Sequence, residues 1–87
     1  MGYRLTEKGE KAERGLSREF AYTPSSRRRG YLQKELLRRV RQTGSGLEAV
    51  NWELSWFEGP EYERGDYLSR VMEEFDWLVE KGFIEEV

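Results

Sequence analysis

The sequence predicts an α+β domain that is mainly helical, with three to four helices and a small antiparallel strand pair formed by the N- and C-terminal segments. Three observations lead there. Apolar residues recur at helical spacing through the middle and last parts of the chain, short segments at its two ends read as strands, and Gly, Ser and Pro punctuate the stretches between. The chain of 87 residues has room for one core, so residues 1–87 are read as a single domain. A mean hydropathy of -0.90 leans towards disorder, but an aromatic content of 14% argues for a packed interior.

Tyr3-Arg4-Leu5 alternates apolar and polar side chains and predicts a strand, and Thr6 is suited to cap a helix starting at Glu7. Ala12, Leu16 and Phe20 give that helix one apolar stripe, weakened at Gly9 and Gly15, and it should end before Thr23-Pro24. Ser25 or Ser26 can cap a second helix over 27–42, with Leu32, Leu36, Leu37 and Val40 on its buried side and Gly30 as a soft point. Lys34, Arg38 and Arg41 project from the opposite side, and Glu35 stands four residues before Arg39, where the two can pair. Thr43-Gly44-Ser45-Gly46 ends this helix in a turn.

Residues 47–57 are ambiguous. Val50, Trp52, Leu54 and Trp56 alternate as in a strand, whereas Leu47, Val50, Leu54 and Phe57 fit a helix. Ser45 followed by Glu48 makes a capping box and tips the reading to helix, with Trp52 and Trp56 expected in the core or at a dimer contact. From Asp66 to Lys81 the pattern is plainly amphipathic, with Leu68, Val71, Met72, Phe75, Leu78 and Val79 on one face and Gly82 placed for a left-handed cap. Phe83 to Val87 reads as a terminal strand.

Neither Cys nor His occurs, which removes disulfides, thiolate and imidazole nucleophiles, and metal sites built on either side chain. Glu58, Glu61, Glu63 and Asp66 share one loop at spacings unlike a calcium loop, and no lysine follows Gly44-Ser45-Gly46 at phosphate-loop spacing. No enzyme activity, catalytic residue, metal or cofactor is therefore expected. No apolar run approaches the roughly 20 residues of a membrane helix, so a cytoplasmic protein without a membrane partner is expected. Arg outnumbers Lys and side-chain amides are few, a bias that suits ion-pair networks in a thermophile.

The net charge of -2 conceals a division along the chain. Counting Lys and Arg against Asp and Glu, residues 1–26 carry +1, residues 27–41 carry +6 and residues 42–87 carry -9. A protein that bound nucleic acid over its whole surface would not have so acidic an end.

Leu68 to Ile84, an amphipathic helix leading into Glu80-Lys81-Gly82-Phe83-Ile84, resembles the third helix and wing start of the winged helix-turn-helix superfamily. Tyr3-Arg4-Leu5-Thr6-Glu7-Lys8-Gly9-Glu10 resembles its returning wing strand and the following helix, in permuted order. The resemblance covers about a third of the chain and implies a winged-helix-like domain and a DNA-binding, transcription-regulatory role. The charges depart from the family: the helix from Asp66 carries Glu73, Glu74, Asp76 and Glu80, which a phosphate groove would repel.

The expected nucleic-acid surface is therefore Arg27, Arg28, Arg29, Lys34, Arg38 and Arg41, meeting phosphates of double-stranded DNA; the alternative is a solvated face paired with the acidic half. Trp77 falls opposite Leu68, among Arg70, Glu73, Glu74 and Lys81. Either it anchors contact with a protein partner or a second copy in a homodimer, Arg70, Glu73 and Glu74 flanking it, or the N-terminal helix covers it.

Overall fold

The computed structural model describes residues 2–15 and 24–87, with side chains in the second stretch from Gly30 onward. The order is β1 (Tyr3–Leu5), α1 (Glu7–Glu13), α2 (Pro24–Thr43), α3 (Gly46–Ser55), a 3-10 turn at Glu61–Glu63, α4 (Arg64–Glu80) and β2 (Ile84–Glu86). The mainly helical α+β class and the strand pair made from the two chain segments are as expected. β1 and β2 are antiparallel, with Tyr3 opposite Glu86, Arg4 opposite Glu85 and Leu5 opposite Ile84.

Local chemistry sets most of the boundaries. Thr6 caps α1 by accepting from the Gly9 N–H, and Ser45 caps α3 by accepting from that of Glu48. Gly44 and Gly82 take positive φ beyond the ends of α2 and α4, a conformation glycine adopts without a Cβ clash. At the end of α4, Gly82 donates to Val79 and Phe83 donates to Leu78, so two orphan carbonyls are satisfied as the chain turns into β2. α2 begins at Pro24, before the expected residue 27, because proline's fixed φ and missing N–H suit a first helical turn. α4 begins at Arg64, and Asp66 lies in its first turn without acting as its cap. The Leu16 and Phe20 positions of the first apolar stripe lie outside the described residues.

The core joins Leu36, Leu37 and Val40 of α2 to Ala49 of α3, Val71, Phe75 and Leu78 of α4, and Phe83 and Ile84 at the C-terminal strand. Tyr3 meets Phe75 edge-on at 5.2 Å between ring centroids, tying the first strand to α4. Gly9 was expected only to weaken α1, but it has a second role. A Cβ there would lie 2.0 Å from the Phe83 carbonyl oxygen, so its missing side chain lets α1 lie against the backbone entering β2. Gln33 is buried in α2 and donates to Glu74 of α4 at 2.6 Å, so its amide has a partner across the helix pair.

Candidate functional site

The long α2 helix carries the basic segment, and α3 and α4 both pack against it. Arg27, Arg28 and Arg29 are in the first turns of α2, and their side chains lie outside the described ones. Further along, Arg38 and Arg41 both reach Glu13 of α1, at 3.7 and 3.4 Å, and both are about half exposed. Arg38 also binds Glu35 at 2.8 Å. The guanidinium groups are half exposed, but the Glu13 and Glu35 side chains are only 14% and 13% exposed, so an incoming phosphate has to compete with partly shielded pairs. The pairing of Glu35 with Arg39 expected from their spacing does not form. Arg38 takes Glu35, and Arg39 turns over the Trp52 ring, 3.7 Å from its centroid, while its Nη1 donates to Gln42.

That turn of Arg39 opens onto a groove of about 660 Å³ between α2, α3 and α4. Its aromatic lining comes from Tyr31, Trp52, Trp56 and Tyr67. Trp52 and Trp56 were expected in the core, or one of them at a dimer contact; the core expectation is corrected, since they are 39% and 64% exposed, and Tyr31 is 70% exposed. The i and i+4 spacing of the two tryptophans puts them on one face of α3, and they meet edge-on at 5.9 Å. Leu47, expected on the buried face of α3, is 73% exposed, whereas Ala49, Glu53 and Leu54 are buried. Phe57 stacks on Tyr67 across the α3–α4 connection.

Glu53 is the residue that sequence reasoning missed. Periodicity placed it among the polar positions of 47–57, but the packed helix leaves it only 7% exposed. Its carboxylate makes no hydrogen bond or ion pair among the described residues, though its oxygens keep some contact with solvent. Burial, and secondarily the nearby Glu35, hold its carboxyl up at about 7, and Arg39 opposes them in part. Burial and the Glu53 charge likewise raise the Tyr67 phenol above its ordinary value, against the pull of Arg70. Arg39 Nε is also buried without a hydrogen-bond partner. The Glu53 carboxylate, with no protein donor among the described residues, and the buried Arg39 Nε therefore lie beside exposed rings, and Arg70 lines the same groove without an ion pair among the described residues.

The wheel put Trp77 on the solvent side of α4, but it is half-buried. Its ring stacks on Phe83 at 5.6 Å and packs against the core, because the chain after Gly82 folds back beside it. Glu73 is exposed beside it, and Glu74 is partly buried and engaged by Gln33. The flanking residues expected with Trp77 therefore divide: Arg70 belongs to the groove, and Glu74 belongs to the α2–α4 packing. No helix among the described residues is long and apolar enough to cross a membrane.

No protein-family model, curated protein or solved structure matches this chain. Function has to be argued from the site itself.

Proposed function

We propose that this protein binds nucleic acid, holding the phosphate backbone on the basic side of α2. The observation that carries the reading is that the basic helix α2 borders a groove lined by arginines and exposed aromatic rings. Arg27, Arg28 and Arg29 lead into Tyr31, Lys34, Arg38 and Arg41, and Arg39 and Arg70 flank a groove with two further tryptophans. Arginine beside accessible aromatic rings is what a nucleic-acid surface needs, the cation for phosphate and the ring for a base face. The acidic residues Asp66, Glu73, Asp76 and Glu80 on α4 are exposed and would turn that part of the molecule away from the polyanion. The winged-helix resemblance favours the same class of function, with a different helix as the contact surface. A protein contact centred on Trp77 has less support, since that ring is already stacked on Phe83.

The test is a titration of a labelled oligonucleotide, duplex and single-stranded, at about 50 and about 200 mM salt. Affinity should fall steeply with salt. Arg28→Ala with Arg29→Ala should weaken binding and reduce the salt slope by about 2. A double variant that binds as the parent does, or a parent that binds neither strand form at low salt, would sink the reading.

A further inference from the structure

We infer that the groove between α2, α3 and α4 takes an unpaired nucleobase bearing an exocyclic amino group, guanine best of all. The base stacks on Trp56, its N–H edge meets the Glu53 carboxylate, and its phosphate meets Arg70. This inference deepens the nucleic-acid reading and rests on it.

Three features of the groove ask for a ligand, and each asks for a different chemical group. Glu53 is mostly buried and has no protein donor to its carboxylate among the described residues, yet its oxygens are not sealed off and line the groove, where they can accept an N–H from outside. Trp56 shows most of its ring to solvent, and its neighbour Trp52 meets it at an angle of 65°, which leaves it unstacked by that ring. Arg70 brings a cation from α4 to the same groove, with no carboxylate paired to it among the described residues. A flat ring with a donor edge and an attached anion satisfies all three, and a nucleotide is such a molecule. An ammonium group would suit Glu53 and the rings but would face Arg38, Arg39 and Arg70. A neutral sugar would leave Arg70 unused.

The base must be unpaired, since pairing occupies its donor edge and stacking within a duplex covers its faces. Guanine sets N1–H and the N2 amino group side by side, which matches the two oxygens of a carboxylate. Thymine and uracil present one N–H between two carbonyls, and those carbonyls are repelled by the same group. Cytosine offers an amino donor beside an acceptor and falls between.

The experiment titrates the full chain with guanosine and thymidine 5′-monophosphates at about pH 8.5, where a carboxyl raised even to neutrality is ionised, following tryptophan fluorescence. The guanine nucleotide should bind about tenfold tighter or more. In Glu53→Gln that preference should shrink below about threefold, because a neutral amide neither attracts guanine's donors nor repels thymine's carbonyls as strongly. Trp56→Ala should weaken both nucleotides by about tenfold through lost stacking. A ligand-side control needs no variant: the 1-methylguanosine nucleotide, which lacks the N1 donor, should lose most of the preference. Equal affinity for guanine and thymine nucleotides, a preference unchanged in Glu53→Gln or by N1 methylation, or uptake of a trimethyllysine peptide in place of nucleotides would each overturn the inference. An oligothymidylate titration separates the two levels. Salt-dependent binding of that strand without guanine preference would remove the base pocket and leave the phosphate surface standing, whereas binding of neither strand nor nucleotide would remove both.

Discussion

The two sides of this small domain treat their polar groups in opposite ways. Around the strand pair, hydrogen-bonding capacity is used and close approach is built in. Arg4 meets Glu85 across the strands at 2.6 Å, the Thr6 N–H donates to the Phe83 carbonyl and its hydroxyl to that of Gly82, and Gly9 lets α1 rest on the backbone. Around the groove, Arg39 Nε is buried without a hydrogen-bond partner and the mostly buried Glu53 carboxylate has no protein donor among the described residues, while Tyr31 and Trp56 stand open. One region is arranged for stability. The other withholds stability that ordinary apolar packing would supply, and that pattern marks binding sites, where unmet hydrogen bonds and exposed rings are met by the ligand.

The largest expected effect breaks the closed side. Gly9→Ala should destabilise the domain by several kcal/mol, even though alanine favours a helix over glycine by about 1 kcal/mol. The new Cβ would be driven to 2.0 Å from the Phe83 oxygen, and the atom it meets is backbone, which cannot swing away. A urea titration followed by circular dichroism measures the loss; a variant as stable as the parent would show that α1 does not depend on this contact.

A smaller effect, of opposite sign, is expected on the groove side. The Glu53 carboxyl is held up to about 7 in the folded chain, against an ordinary value of 4.5. Between those values the folded state keeps the proton that the unfolded state has released, so stability falls as pH rises through the window and stays low above it. The groups facing this carboxyl are Glu35 and Arg39 of α2 and Tyr67 and Arg70 of α4. Glu53→Gln should therefore stabilise the protein above neutrality by on the order of 2 kcal/mol and leave it little changed near pH 4. Thermal melts at the two pH values check the sign: a variant less stable at high pH would mean that the carboxylate has a stabilising partner after all.

The smallest effect sharpens the contrast between stability and binding. Trp56→Ala should change stability by less than about 1 kcal/mol, because most of the ring is already in water and its main ring contact is an edge on Trp52. Removing a tryptophan from a core would cost about 3 to 5 kcal/mol, so a loss of that size in the same urea assay would place Trp56 among the structural residues.

Much of the architecture was legible from the chain. Thr6, Ser45, Gly44 and Gly82 mark helix ends because caps act within a few residues of backbone and need no tertiary partner. The apolar rows of α2 and α4 identify their buried sides, except that Met72, expected on the buried face of α4, is 50% exposed, and the alternation at the first strand with the short apolar start of the last allowed the strand pair to be foreseen. The candidate site was only half legible. The basic helix declares itself by composition, whereas Glu53, Trp52 and Trp56 carry no such signal. A glutamate in an amphipathic stretch reads as solvated, and a tryptophan there reads as core.

By itself, then, the sequence determined where helices begin and stop, which rows of side chains must be hidden, and how charge divides along the chain, since each depends on near neighbours or on a simple period. Only the tertiary structure decided which face of α3 would be covered, that Trp77 would stack on Phe83 and that Glu53 would be mostly buried with no protein donor to its carboxylate among the described residues. Those outcomes depend on what α2, α4 and the returning C-terminal segment bring alongside. Burial is a property of the neighbours as much as of the residue, and neighbours distant along the chain leave no periodic mark in it.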